Sequence, residues 1–277
     1  MPLSTTVKML KDAQAAGVAI GAFNIENMEM AQAVISAAAE MGCPVILMTT
    51  SGTAKYAPME VVVSMVTKLA QSVDIPVALH VDHSNEASIF DALKAGYTSV
   101  MYDGSKESFE ENIRRTKLVV EAASKQNIPV EAELGCIGGR EDDIESEIQY
   151  TDPEMAAEFV AKTGASSLAV AIGTAHGVYK TTPRLDISRL KEIKKLVSIP
   201  LVLHGGSGLS TEDLQNCIRA GISKVNFGTD LRIAYTQGIR EYMEQNPSKI
   251  DPRTYGSAGR EKVKAMALEK LAIISNL

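Results

Sequence analysis

Short apolar, β-leaning runs recur eight times along the chain: 18–23 (VAIGAF), 44–49 (PVILMT), 76–82 (PVALHVD), 98–103 (TSVMYD), 129–134 (PVEAEL), 167–172 (SLAVAI), 200–204 (PLVLH) and 223–227 (SKVNF). Most lack clean polar alternation, the pattern of strands covered on both faces. Several start just after Pro or Gly, and several run out in turn-forming Gly, Ser or Asn. Between the runs the apolar positions switch to helical spacing. Residues 28–41 are rich in Ala, Glu and Met, and 58–72 repeat apolar residues at helical intervals. In 109–126, Ile113, Leu118, Val119 and Ala122 share one side, with Lys and Arg elsewhere. Asp152 reads as an N-cap with Pro153 at the first helical position, opening a helix through 155–162. Ser210 and Asp213 form a capping box. Ala95-Gly96 and Ala220-Gly221 mark a helix stop followed by a strand.

Eight alternations of strand and helix predict an α/β fold, a (β/α)8 TIM barrel, as one domain over residues 1–277. A helix over 5–16 precedes the first strand, and a helical extension (231–244 and 260–274) follows the eighth. An open doubly wound sheet fits less well, because no Gly-x-Gly-x-x-Gly follows the first strand. The 277 residues suit one barrel, which commonly takes about 250. A net charge of −6 argues against a nucleic-acid partner but leaves room for a local basic pocket for phosphates. No apolar run approaches the roughly 18 residues that span a bilayer, so no membrane partner is expected. Cys43, Cys136 and Cys217 are widely spaced and odd in number, giving neither a disulfide framework nor a Cys-x-x-Cys site. Met1-Pro2-Leu3-Ser4 lacks the basic and apolar regions of a signal peptide, so the expected location is cytoplasmic.

The four histidines all fall at or near the C-terminal ends of apolar runs, the end at which barrels carry their chemistry. His83, His176 and His204 would end strands three, six and seven. Either three neutral imidazoles converge on one ion with a position left open, as in a catalytic zinc site, or these are separate hydrogen-bonded core or loop histidines; the first is expected. His80 lies within the strand body and is expected to support the site or fill the core. Asp82, next to His83, either exchanges protons with a substrate or orients a histidine. Glu131 and Glu133, two apart in strand five, face the same side. There Glu133 is either an alternative or second-site metal ligand, or a buried carboxylate bonded to its neighbours. The loop at 135–143 (GCIGGREDD) reads as a mobile lid delivering Glu141, or as a solvated acidic loop. Gly205-Gly206-Ser207-Gly208 and Asn226-Phe227-Gly228-Thr229-Asp230 end strands seven and eight, where barrels often bind phosphate through backbone N–H groups. Lys180 either assists there or lies on the surface.

These motifs resemble the class II, metal-dependent ketose-bisphosphate aldolases of the fructose and tagatose 1,6-bisphosphate branches. The matching segments are His-Val-Asp-His at 80–83, Glu-Ala-Glu-Leu-Gly at 131–135, Gly-Gly-Arg-Glu-Asp-Asp at 138–143, His-Gly-Val-Tyr-Lys at 176–180, Leu-His-Gly-Gly-Ser-Gly at 203–208 and Asn-Phe-Gly-Thr-Asp at 226–230. The resemblance implies that His83, His176 and His204 bind zinc, which stabilises the enediolate of dihydroxyacetone phosphate as a Lewis acid. It implies that Glu141 takes the proton from the hydroxymethyl carbon and that Asp82 exchanges a proton with the C4 oxygen. It assigns residues 205–207, 226–229 and Gly177 to the phosphate, Asn24 to a substrate contact, and Arg253 to a neighbouring subunit's site. It further implies a monovalent cation (Na+ or K+), a possible second zinc site, and a homodimer or homotetramer acting on sugar phosphates in glycolysis or related carbohydrate metabolism.

Two departures, at Gly228 and after strand four, touch the aldehyde half of the substrate. Gly228 stands where the fructose branch often carries a longer polar residue and the tagatose branch Ala. Gly205-Gly206-Ser207 looks more like the fructose form. Asp103-Gly104-Ser105-Lys106 replaces a Ser-His pairing. The expected substrate is fructose 1,6-bisphosphate, with tagatose 1,6-bisphosphate or a sulfonated or deoxy ketose phosphate as alternatives.

Rival classes fare worse. A Schiff-base aldolase needs a lysine inside the barrel, and Lys224 is expected at the wrong end of strand eight. A barrel metal hydrolase usually opens with His-x-His at strand one, whereas this strand ends Ala22-Phe23-Asn24. A non-catalytic aldolase partner subunit would not be expected to retain all three histidines, Asp82 and Glu141.

Overall fold

The computed structural model describes residues 3–141, 144–179 and 181–275, with side chains omitted over 140–146. The strands, in chain order, are β1 Ile20–Asn24, β2 Val45–Thr49, β3 Val77–Ser84, β4 Ser99–Tyr102, β5 Val130–Leu134, β6 Gly138–Glu141, β7 Ile144–Ser146, β8 Ser167–Val170, β9 Ala175–His176, β10 Leu201–Leu203 and β11 Ile222–Phe227. Among the described residues, β1–β5, β8, β10 and β11 close into a parallel barrel. Closure runs through the pairing of β1 with β11, Ala22 opposite Asn226. This is the expected (β/α)8 TIM barrel, with helices α1–α11 over Thr6–Ala16, Met28–Met41, Ser51–Tyr56, Met59–Ala70, Glu86–Ala95, Phe109–Ser124, Pro153–Thr163, Ile187–Leu196, Thr211–Arg219, Thr229–Gln245 and Pro252–Ser275. No described helix is long and apolar enough to cross a membrane.

The helices begin where the capping chemistry places them. Asn27, Asn85, Asp152 and Ser210 each accept a hydrogen bond from the backbone N–H three residues on. That satisfies donors which the first helical turn cannot pair internally.

Alternation along the strands separates two environments. Phe23, Leu47, Leu79, Val81, Val225 and Phe227 point outward into the main core beneath the helices. Ile20, Ala22, Ile46, Met48 and Ala78 point inward and pack on Met9, Leu10 and Ala13 of α1. The N-terminal helix therefore closes the floor of the barrel. Above this apolar floor the interior turns polar. His80, Asp82, Ser99, Glu131, Glu133, His204, Lys224 and Asn226 are all buried.

Three features differ from the sequence reading, and a fourth adds to it. The glycine-rich stretch after β5 is a hairpin, with β6 antiparallel to β7 and parallel to β9. The barrel strand β8 stops at Val170, so His176 belongs to β9 in that small sheet. An unexpected short helix, α3, follows β2 and is capped by the Thr50 hydroxyl. Lys224 starts low in β11, opposite Ile20, yet is fully buried, its ammonium 2.8 and 2.9 Å from the two Glu131 oxygens.

Candidate metal centre and substrate cleft

β3, β9 and the residue after β10 bring His83, His176 and His204 together, with their donor nitrogens within 4.8 Å of one another. Each of two imidazoles has one nitrogen engaged by a carboxylate. His83 Nδ1 is 2.8 Å from Asp103 Oδ2, and His204 Nε2 is 3.1 Å from Glu131 Oε1. With the ring protons placed on those nitrogens, the lone pairs of His83 Nε2 and His204 Nδ1 face each other across 2.7 Å. Two opposed lone pairs repel, and a cation bound by both nitrogens would relieve that repulsion, so the residues present fit a metal. Carboxylates on the outer nitrogens of metal-binding histidines fix the tautomer and the ring orientation.

The electrostatics agree with this reading. Burial, with His83 nearby, pushes His176 down to about 3, and burial pushes His204 down to about 4. Both are then neutral near pH 7, the form that ligates metal. Burial alone would raise the Asp103 carboxyl, but the hydrogen bond and charge of His83 hold it well below the usual carboxylate range. Burial likewise opposes ionisation of Glu131, and the Lys224 ammonium, aided by His204, overcomes it. Lys224 is therefore committed to an ion pair deep in the barrel. Its low start in β11 and this ion pair together leave it unfit for a Schiff base.

His83 has φ +42°, uncommon for a residue with a side chain. Glu133 sits at the edge of the centre, its Oε2 3.8 Å from His83 Nδ1 and 4.0 Å from His204 Nδ1. Its other oxygen accepts a hydrogen bond from the Ile137 N–H at the base of the hairpin. His80 is buried with its Nδ1 2.8 Å from Ser99 Oγ, the supporting position expected of it. Burial, reinforced by Lys224, keeps its pKa well below the ordinary histidine value.

Beside the histidines opens a cleft. Of the residues singled out from the sequence, Asn24, Gly177, Gly205, Ser207, Asn226, Gly228 and Thr229 line it together with Asp82 and His176. The Asn226 amide donates to Asp82 Oδ1 at 3.3 Å. The Ser207 hydroxyl accepts from the N–H groups of Gly228 and Asp230, both at 3.2 Å, joining the two glycine-rich segments. Gly205 needs to be glycine: φ is +68°, and a Cβ would lie 2.5 Å from the Ala175 carbonyl oxygen.

Other expected residues stand elsewhere. The Gly206 N–H donates to the Asn226 carbonyl, so it ties the two segments together. The Phe227 side chain points away into the core, its ring stacked on Phe23 at 5.3 Å. Arg253 is exposed, paired with Asp251 at 2.8 Å, and does not line the cleft. Lys180 and the side chain of Glu141 lie outside the described residues. Arg232 lines the cleft without having been singled out. Its guanidinium is 2.7 Å from Glu26 Oε1, and Glu26 Oε2 accepts from the Thr53 hydroxyl. Its position one helical turn after Thr229 was the available signal.

Comparison with known proteins decides the family. Residues 4–276 match the family model for class II fructose-bisphosphate aldolase. The chain belongs to that family. Its fold and sequence are similar to the YdjI aldolase of Escherichia coli K12, with 37% identity over 98% of this chain and 97% of the other, and a TM-score of 0.88. A putative fructose-1,6-bisphosphate aldolase from Coccidioides immitis shares 29% identity over 98% and 96% of the two chains, with a TM-score of 0.90. Fructose-bisphosphate aldolase from Campylobacter jejuni shares 27% over 99% and 96%, with a TM-score of 0.84. As a class II aldolase the protein is a lyase. Class II aldolases are metal-dependent, typically with zinc, and the three-histidine cluster of this aldolase is a site able to hold such an ion.

Proposed function

We propose that His83, His176 and His204 hold zinc and that the enzyme reversibly cleaves fructose 1,6-bisphosphate to dihydroxyacetone phosphate and glyceraldehyde 3-phosphate. The observation that carries this reading is the three-histidine cluster opening onto a cleft that Asp82 shares with two glycine-rich segments. When bound, the ion supplies Lewis-acid polarisation of the ketone carbonyl. Asp82, buried and steadied by the Asn226 amide, exchanges a proton with the C4 oxygen as the C3–C4 bond breaks or forms. Glu141 moves the proton at the hydroxymethyl carbon. Gly177, the 205–207 and 226–229 segments and Lys180 hold the phosphate of the dihydroxyacetone half, and Asn24 touches the substrate. Glu133 provides the alternative or second metal position, and nearby carbonyls hold a monovalent cation. Arg253, exposed and away from its own cleft, serves a neighbouring subunit in a homodimer or homotetramer.

Tagatose 1,6-bisphosphate, or a sulfonated or deoxy ketose phosphate, is the second reading. What favours it is Gly228, where the nearest atoms to an added Cβ belong to Asn24, at an ordinary contact distance of 3.5 Å, so that a longer side chain could stand there.

The test is cleavage of the fructose and tagatose bisphosphates side by side, with and without EDTA, detecting dihydroxyacetone phosphate. Chelator-sensitive cleavage with the higher kcat/KM for the fructose sugar supports the proposal. Preference for tagatose bisphosphate supports the second reading. Cleavage by fully metal-stripped protein overturns the metal mechanism.

A further inference from the structure

The cleft that the proposed function assigns to the phosphate has an acid at its rim. Asp230 opens α10, immediately after Thr229, which lines the cleft. An aspartate in the first turn favours the helix by itself, but beside a phosphate dianion its charge is repulsive. The carboxylate also does a structural job. Its Oδ2 accepts from the Gly208 N–H at 3.4 Å, and the Asp230 N–H donates to Ser207 Oγ. Asp230 thus clasps the segment after β10 to the helix after β11.

Among the described residues, a buried lysine answers this charge. Lys270 of α11 is 8% exposed, and its ammonium lies 3.1 Å from Asp230 Oδ2 and 5.7 Å from the centroid of the Phe227 ring. A lysine that loses its water this far normally has a partner that repays it. Lys270 lies outside every motif that marks the site in the sequence, some forty residues beyond Asp230 and on another helix.

We propose that Lys270 is a positioning residue for substrate binding. It cancels the charge of Asp230 and holds the Asp230 clasp, so that the Gly205–Ser207 segment and Thr229 at the start of α10 face a phosphate dianion without a competing anion. The inference rests on the reading of this cleft as the phosphate site.

The experiment compares zinc-loaded wild-type enzyme with Lys270→Met, Lys270→Arg, Asp230→Asn and the double variant Asp230→Asn/Lys270→Met. The readouts are the calorimetric Kd for inorganic phosphate, and KM and kcat for fructose 1,6-bisphosphate, with zinc content measured alongside. In Lys270→Met, the phosphate Kd and KM should rise about five- to tenfold while kcat and zinc content stay within about twofold. Lys270→Arg should stay close to wild type. The double variant should match Asp230→Asn, because no acid remains to be cancelled. That pair also decides the matter if Lys270→Met does not fold. Unchanged Kd and KM in folded Lys270→Met, or a double variant that still binds phosphate five- to tenfold more weakly than Asp230→Asn, overturns the proposal alone. Wild-type enzyme that binds no phosphate and is not inhibited by it overturns the reading of the cleft beneath it.

Discussion

The two flanks of the histidine cluster are made differently. On one side, the segments after β10 and β11 present mainly backbone and small polar groups, cross-tied by Ser207, by the Gly206 N–H and by the Tyr179 hydroxyl donating to the Gly205 carbonyl at 2.8 Å. On the other side, below His83, the opening is lined by side chains on separate loops, among them Thr50, Ser51, Asn85, Ser105 and Lys106. Backbone donors held by closed turns recognise a group common to many substrates, and changing one strains the chain. Side chains on loops can be exchanged one at a time without disturbing the barrel. Under the proposed function, the first flank would take the invariant half of a ketose bisphosphate, and the second the half that differs between sugars.

Four substitutions break or sharpen this contrast. The largest effect belongs to the centre that both flanks share. His204→Ala should lose bound metal and about 10³-fold or more of activity together, as read by metal analysis and the cleavage assay; full activity in metal-depleted protein would sink the assignment. Next, Asp82→Asn should lower kcat by about 10²- to 10⁴-fold while metal content stays at the wild-type level. Loss of metal in that variant would make Asp82 a support of the centre instead. On the backbone flank, Gly205→Ala should destabilise the fold by about 1–3 kcal/mol in denaturant melts and raise KM for every ketose bisphosphate alike. An effect confined to one sugar would contradict the invariant role of that side. The smallest effect is expected from Lys106→Ala, which should change the ratio of kcat/KM between the fructose and tagatose sugars about two- to fivefold, with phosphate affinity untouched. If phosphate affinity fell in step, the two flanks would not be separable.

What the sequence revealed follows the same division. Helix α2 runs over the predicted 28–41 because its cap, Asn27, and the Gly42 that follows it are local signals. The barrel strands are apolar runs whose ends are marked by Pro, Gly and Asn. Glu131 and Glu133 face inward because alternation along a strand is also local. The reading fails where pairing across the barrel decides the outcome. Lys224 starts low in its strand, yet the parallel register and the length of its side chain carry its ammonium to Glu131 on the opposite side. His176 looks like the end of a barrel strand, but β8 stops at Val170 and the remaining residues leave to pair with β6. Asp103 read only as a departure from a family pattern, whereas it engages His83 directly. Arg232 offered only its place one helical turn after Thr229, and Lys270 carried no motif at all, since helix packing alone brings it to Asp230.

The parallel pairing of Gly138 with Ala175 and of Gly139 with His176 has a mechanical consequence. Gly139 has φ +91°, and any Cβ there would collide with the His176 carbonyl oxygen, so the two backbones are in intimate contact. Residues 138–141 cannot pivot as a rigid arm without tugging on His176. Under the proposed roles of Glu141 and His176, any displacement of β6 would be felt at His176 through this pairing, so the two residues would share one lever.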